Sequence, residues 1–220
     1  MLLFETIKND ERIRTLIKKA DESLITLGYT EHSFAHVSKV ADTSGYILET
    51  LGHSERDREL VKIAGWLHDI GNLVNRVDHA HTGAVMAFQL LNGFPDADIG
   101  EIATIVTAIG NHDESTAVPV NDIAAALILG DKTDVRRSRV RNTDRASFDI
   151  HDRVNYSVRK AEVRINEEKT LVKLKLSIDT RYCSVMDYFE IFLVRMVLCR
   201  KAAEKLGMEF RLIMNERQMM

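Results

Sequence analysis

Apolar positions recur at helical spacing through roughly the first 135 residues. Asn9 or Asp10 can cap a helix whose inward stripe is Ile13, Leu16, Ile17, Ala20 and Leu24, and Gly28 stops it. Ser33 opens a second helix carrying Val37, Val40, Ala41, Ser44 and Leu48, ended by Gly52. Ser54 opens a third through Leu60, Ile63, Ala64 and Leu67, running to Gly71. The pattern predicts a fourth from Thr82 to Leu91, a fifth from about Asp98 to Ile109, and a sixth from about Asn121 to Asp134. Pro95 and Pro119 are the two prolines, so little interrupts these segments. There is no internal repeat and no low-complexity stretch.

Residues 136–153 are polar and rich in arginine, and after them the period switches to two. Ala161, Val163 and Ile165 alternate with charged residues, as do Val172, Leu174, Leu176 and Ile178. Asn166 to Lys169 between them suits a hairpin loop. Ser184 can cap a long helix to Leu206, closed by Gly207, and Phe210 and Leu212 suggest a last strand. The chain therefore reads as mainly α: a helical bundle over residues 1–150, then a small β-β-α-β appendage over 151–220. A lone hairpin is marginal in water, so the long helix must cover it in part. Its stripe of Phe189, Phe192, Met196 and Val197 leaves surface to dock on the bundle or on a second copy, and a homodimer is expected.

Composition narrows the class. The 220 residues are 45% hydrophobic and 29% charged, which excludes a disordered chain and a collagen. Thirty basic residues against 33 acidic ones give a net charge of −3, so no nucleic-acid polymer and no membrane surface is expected as partner. Cys183 and Cys199 match no zinc spacing and read as small buried hydrophobes in a reducing compartment. No apolar run reaches the roughly 18 residues of a membrane span, and the start lacks the pattern of a secretory signal. A cytoplasmic location is the expectation.

The chemistry lies in histidines and aspartates near helix ends. His68-Asp69 follows the apolar run Ile63 to Leu67 and puts an imidazole and a carboxylate at one spot, a good pair for a transition metal. His36 lies on an amphipathic helix, and His112 follows Ile109-Gly110-Asn111. Asp131 ends the apolar stretch Ala126 to Gly130, where a carboxylate is costly unless paired or bound to metal. Four apolar helices thus each deliver a side chain of metal-ligand type.

In order and spacing, His36, His68-Asp69 and Asp131 resemble the HD-domain metal-dependent phosphohydrolases over roughly residues 20–140. "WLHDIGN" is close to that family's usual "LLHDIGK", and "ILGDKTDVRRSR" resembles its final "ADxxD" helix. The resemblance implies an HD-domain helical bundle with metal held between helices. His79-Ala80-His81-Thr82-Gly83-Ala84 is similar to the "HxxxGA" helix opening of two branches with extra ligands. These are the cyclic-di-GMP phosphodiesterases of the HD-GYP type and the symmetrical diadenosine tetraphosphatases. That match implies one or two metals held by His36, His68, Asp69, His79, His112 and Asp131, with His81 the alternative to His79. Iron or manganese is favoured, and zinc, nickel and cobalt are also compatible.

Asn72 stands where the family carries lysine, and neither the HD-GYP loop signature after His112 nor the "HTTG" turn of the tetraphosphatases is present. The dinucleoside-polyphosphate branch is the closer match. Lys132, Arg136, Arg137, Arg139 and Arg141 could form a positive lip for phosphate, and Arg137 matches an arginine of the tetraphosphatase branch. The expected reaction is hydrolysis of a phosphate ester or anhydride of a nucleotide or dinucleotide by metal-activated water, with Asp69, His68 and Arg137 as the catalytic set. Asp113 or Glu114 would serve as general acid. The alternative is a regulatory protein that binds metal and nucleotide with little catalysis. His32 reads as a surface residue at a helix start, and His53 and His151 as solvated.

Overall fold

Local capping explains most of the helix starts. In the computed structural model, which describes residues 1–95 and 97–220, Asp10, Ser33, Ser54, Asp98, Asn121 and Ser184 each accept a backbone N–H from the helix they open. The helices are α1 (Phe4–Asn9), α2 (Glu11–Thr26), α3 (Phe34–Leu51), α4 (Glu55–Leu67), α5 (His79–Leu91), α6 (Ile99–Gly110), α7 (Asp122–Lys132), α8 (Ile150–Ser157) and α9 (Val185–Lys205). The strands are β1 (Val158–Ile165), β2 (Leu171–Ile178), β3 (Glu209–Met214) and β4 (Arg217–Gln218). The protein is a mainly helical bundle with a small sheet at its C-terminal end, as the periodicity predicts.

The differences are local. α4 stops at Leu67 rather than Gly71, and a 3-10 turn over Ile70–Leu73 follows it. α5 starts at His79, three residues before Thr82, after Asp78 takes a left-handed φ of 58°. α1, α8 and β4 have no counterpart in the predicted elements. α1 has six residues and α8 eight, too short to be stable alone. α1 forms because Phe4 and Ile7 are buried in the core and the Phe4 N–H donates to Glu59 on α4 at 2.6 Å.

The sheet order is β1-β2-β3-β4. β1 and β2 are an antiparallel hairpin, β2 and β3 pair in parallel through the α9 crossover, and β3 and β4 are antiparallel. α9 packs on α7 on one side and β3 on the other, burying Phe192, Met196, Cys199 and Ala203. A single cluster of buried apolar side chains runs from Leu2 to Met214, so much of the α9 stripe docks within the chain. Both cysteines are free and buried, and burial pushes the Cys199 thiol up to about 12. Among the described residues, no helix is long and apolar enough to cross a membrane.

Two glycines allow the close approaches that build the site. A Cβ on Gly130 of α7 would meet Ser44 Oγ of α3 at 2.2 Å. One on Gly71 would lie 2.0 Å from the His79 carbonyl oxygen and 2.5 Å from Gly83 N. The turn after His68-Asp69 therefore rests directly on the α5 backbone. Gly71→Ala forces these apart and is expected to cost about 3 kcal/mol or more. Chemical denaturation checks this, and a loss below about 1 kcal/mol would contradict the packing.

Candidate metal centre

Five helix ends converge. His36 sits in the first turn of α3; His68 and Asp69 follow the last residue of α4; His79 opens α5; His112 lies just past α6; Asp131 is the next-to-last residue of α7. His36 Nε2 lies 3.5 Å from Asp69 Oδ2 and 3.4 Å from Asp131 Oδ1. His68 Nε2 lies 3.2 Å from Asp69 Oδ2 and 3.7 Å from Asp131 Oδ1. His79 Nε2 is 3.5 Å from Asp69 Oδ1, and the His112 ring stands edge-on to those of His68 and His79. Three overlapping groups have donor atoms within 4.8 Å of one another: His36-His68-Asp69, His68-His112-Asp131 and Asp69-His79-His112.

The other nitrogen of each ring is tied down. Nδ1 of His68, His79 and His112 donates to the carbonyls of Gly65, Arg76 and Ile109 at 2.8, 3.1 and 2.6 Å. His36 Nδ1 donates to Asp134 Oδ2 at 2.8 Å. Each donation fixes a tautomer whose Nε2 lone pair faces the cluster. Nε2 of His36, His68 and His112, and Oδ2 of Asp69, are buried with no hydrogen-bond partner. Buried lone pairs without partners are costly, and a divalent cation among them removes the cost. Four imidazoles and two carboxylates suit a transition metal. Asp69 presents one oxygen to His36 and His68 and the other to His79, the arrangement of a carboxylate shared between two ions.

The electrostatics agree. Burial, with His68 and Lys132 nearby, pushes His112 down to about 3, so it stays a neutral donor. Burial would raise the Asp69 carboxyl, but His68, His32 and His36 outweigh it and hold the group ionised. Burial and Arg139 push His36 down, yet the carboxylates of Asp131, Asp134 and Asp69 around it prevail and raise it to about 10. A metal cation bound at its Nε2 would take the place of that proton.

A surrounding layer of residues holds the donors. Asn72 Nδ2 donates to Asp69 Oδ1 at 2.9 Å. Lys132 Nζ lies 2.7 Å from Asp131 Oδ2 and 2.5 Å from Glu114, whose other oxygen accepts from Arg195 of α9. Asp134, Arg76 and Arg195 were not singled out from the sequence. Arg195 had a readable signal, since it interrupts the apolar run from Ile191 to Cys199 beside Phe192 and Met196. Asp134 had a weaker one, lying three residues after Asp131.

Other expectations change. His81 is exposed beside Asp78, off the cluster. Arg137 donates Nε to the Tyr156 carbonyl at 2.5 Å and lies over the Tyr156 ring, and none of its contacts reaches the cluster. Arg136 pairs with Glu31 and Asp134, Arg139 is buried against Asp134, and Arg141 pairs with Asp21, so these side chains brace the fold. His32 is not a surface residue: its ring stands edge-on to His36, and burial holds its pKa well down. His53 is partly buried between Asp57 and Asp122, while His151 is exposed. Glu114 is locked by Lys132 and Arg195, which hold it ionised against burial. Asp113 is the freer carboxylate, 3.9 Å from His79 Nε2.

His112→Ala is expected to lose about one equivalent of metal while the fold survives, since His112 belongs to two of the three donor groups. Elemental analysis checks this, and an unchanged metal content would reduce the centre to His36, His68, Asp69 and Asp131.

The HD-domain family model matches residues 33–190, a span that holds every residue of the cluster. An uncharacterized protein of Methanocaldococcus jannaschii is 24% identical over 193 residues, 78% of this chain and 74% of that one. A crystal structure of a predicted HD superfamily hydrolase from an uncultured Thermotogales bacterium aligns with a TM-score of 0.45 at 24% identity, covering 62% of this chain and 75% of its own. The chain belongs to the HD-domain family.

Proposed function

We propose that the protein is a metal-dependent phosphohydrolase acting on a phosphate ester or anhydride of a nucleotide or dinucleotide. The observation that carries this reading is the set of buried, unpartnered donors, His36, His68 and His112 Nε2 and Asp69 Oδ2, aimed at one centre. His36, His68, Asp69 and Asp131 would hold one ion, and Asp69, His79 and His112 a second. A bound divalent transition metal supplies Lewis-acid stabilisation of a phosphoryl oxygen and acidifies water to a nucleophile near neutral pH.

The chain's own residues do the rest. The Nδ1 donations fix the rings, Asn72 fixes the Asp69 carboxylate, and Lys132 fixes Asp131 by its Oδ2. Asp113 is held ionised: burial would raise it, but Ser115 and Lys132 lower it further. It therefore suits taking a proton from the attacking water better than giving one to the leaving group. The presence of both His79 and His112 supports a branch with extra ligands. The mixed nitrogen and oxygen donors favour iron or manganese over magnesium.

The test is a phosphate-release screen over nucleotides and dinucleotides with manganese or iron(II), beside elemental analysis of the protein as purified. Release from at least one substrate is expected. A protein that holds metal and releases phosphate from none of them would be the regulatory binder instead.

A further inference from the structure

A cavity of about 330 Å³ adjoins the centre. His32 and Arg76 line it, and both also touch the donor cluster: the His32 ring centroid is 5.4 Å from that of His36, and Arg76 Nη1 is 3.5 Å from His79 Nε2. Tyr29 lines it as well, as do Asp152 and Asn155 of α8 and Phe192 of α9. The volume lies near the bottom of the range of about 300–1,000 Å³ for small-molecule sites. It has room for one compact organic group and none for two nucleosides joined by a polyphosphate.

Three arginines line this cavity, and two are already committed. Arg139 donates to the carbonyls of Glu31 and Asp134, and Arg195 to Glu114. Arg76 places Nη1 3.2 Å from Asn72 Oδ1 and 3.5 Å from His79 Nε2, its guanidinium lies over the Tyr29 ring, and its nearest carboxylate oxygen, on Asp69, is 3.9 Å away. Its remaining N–H groups form a fork suited to phosphate oxygens. Asn72, where lysine is usual in the family, thus leads to a cation supplied four residues later. Tyr29 offers aromatic surface, and Asp152 and Asn155 offer acceptors for hydroxyl and amino groups.

We infer that Arg76 reads the phosphoryl group and that this cavity holds the rest of a phosphate monoester no larger than a nucleoside monophosphate, to the exclusion of dinucleoside polyphosphates. The inference rests on the phosphohydrolase reading and narrows it. In the reaction, the water oxygen bonds to phosphorus and the ester P–O bond breaks. One water proton ends on the leaving alcohol and the other on hydrogen phosphate.

The test uses the full chain loaded with manganese, with adenosine monophosphate and diadenosine tetraphosphate as substrates. Equilibrium binding of inorganic phosphate is measured alongside. The monophosphate is expected to be cleaved with a kcat/KM at least about tenfold higher than the tetraphosphate. Arg76→Ala is expected to raise KM and weaken phosphate binding by about tenfold or more at unchanged metal content, with partial recovery in Arg76→Lys. Asp152→Asn is expected to raise KM for the monophosphate and leave phosphate binding unchanged. Preference for the tetraphosphate, or phosphate binding indifferent to both Arg76 variants, overturns the inference. If both nucleotides bind through Arg76 and neither is cleaved, hydrolysis is the reading that fails and Arg76 keeps its assignment.

Discussion

On the proposed function, Asp69→Ala is expected to abolish phosphate release and to empty the centre of metal. Asp69 is the one residue with an oxygen toward each side of the cluster, Oδ2 to His36 and His68 and Oδ1 to His79. Its removal takes a donor from both candidate ion sites at once. A metal ion supplies several kcal/mol of transition-state stabilisation, so the expected loss of rate is about 10³-fold or more. The fold should persist, because the residues holding the helices together are apolar and lie in the shared core. Removing Asp69 also takes out a charge whose burial is itself unfavourable. Elemental analysis, circular dichroism and phosphate release read the three quantities separately. Metal content near that of the wild type with less than a tenfold loss of rate would remove Asp69 from the centre. If alanine disturbs the fold, Asp69→Asn keeps the shape and reads the same charge.

The bundle was legible where a cap precedes a strong apolar period. Ser33, Ser54, Asn121 and Ser184 cap α3, α4, α7 and α9 at the places their pattern marks. α1 and α8 were not, because short segments carry too few periods to stand out and are stabilised by packing. The metal donors were legible for a related reason. His68-Asp69, His112 and Asp131 each close an apolar run at a helix end, where burial of a polar side chain needs explaining, while His79 was reached through the family resemblance alone. Partners of the charged side chains were not. Arg137 bonds to Tyr156, Arg195 to Glu114 and His36 to Asp134, 19, 81 and 98 residues apart in the chain. An arginine-rich run shows charge but not what neutralises it. Here the run after Asp131 mostly braces the fold, while the arginine beside Asp69 comes from the turn before α5.

Lys132→Met is expected to destabilise the protein by about 3–5 kcal/mol. Lys132 is 4% exposed and pairs with Asp131 at 2.7 Å and Glu114 at 2.5 Å. Glu114 in turn meets Arg195, so two partly buried carboxylates and two cations form one neutral chain from α7 to α9. Burial pushes the Lys132 ammonium down, yet Asp131 and Glu114 raise it above its ordinary value, so it is charged throughout the neutral range. Methionine fills most of the same volume and leaves a net negative charge in a site with little water. Metal at Asp131 should restore part of the loss, so the deficit is larger in metal-free protein than in loaded protein. The double variant Lys132→Met with Glu114→Gln is neutral again, with Arg195 left to face Asp131. It is expected to unfold at higher denaturant than Lys132→Met alone, although it carries one more substitution. Denaturant titration of the metal-free proteins reads both effects. A single-variant loss within about 0.5 kcal/mol, or a double variant weaker than the single one, would mean that this chain of charges is not what ties α9 to α7.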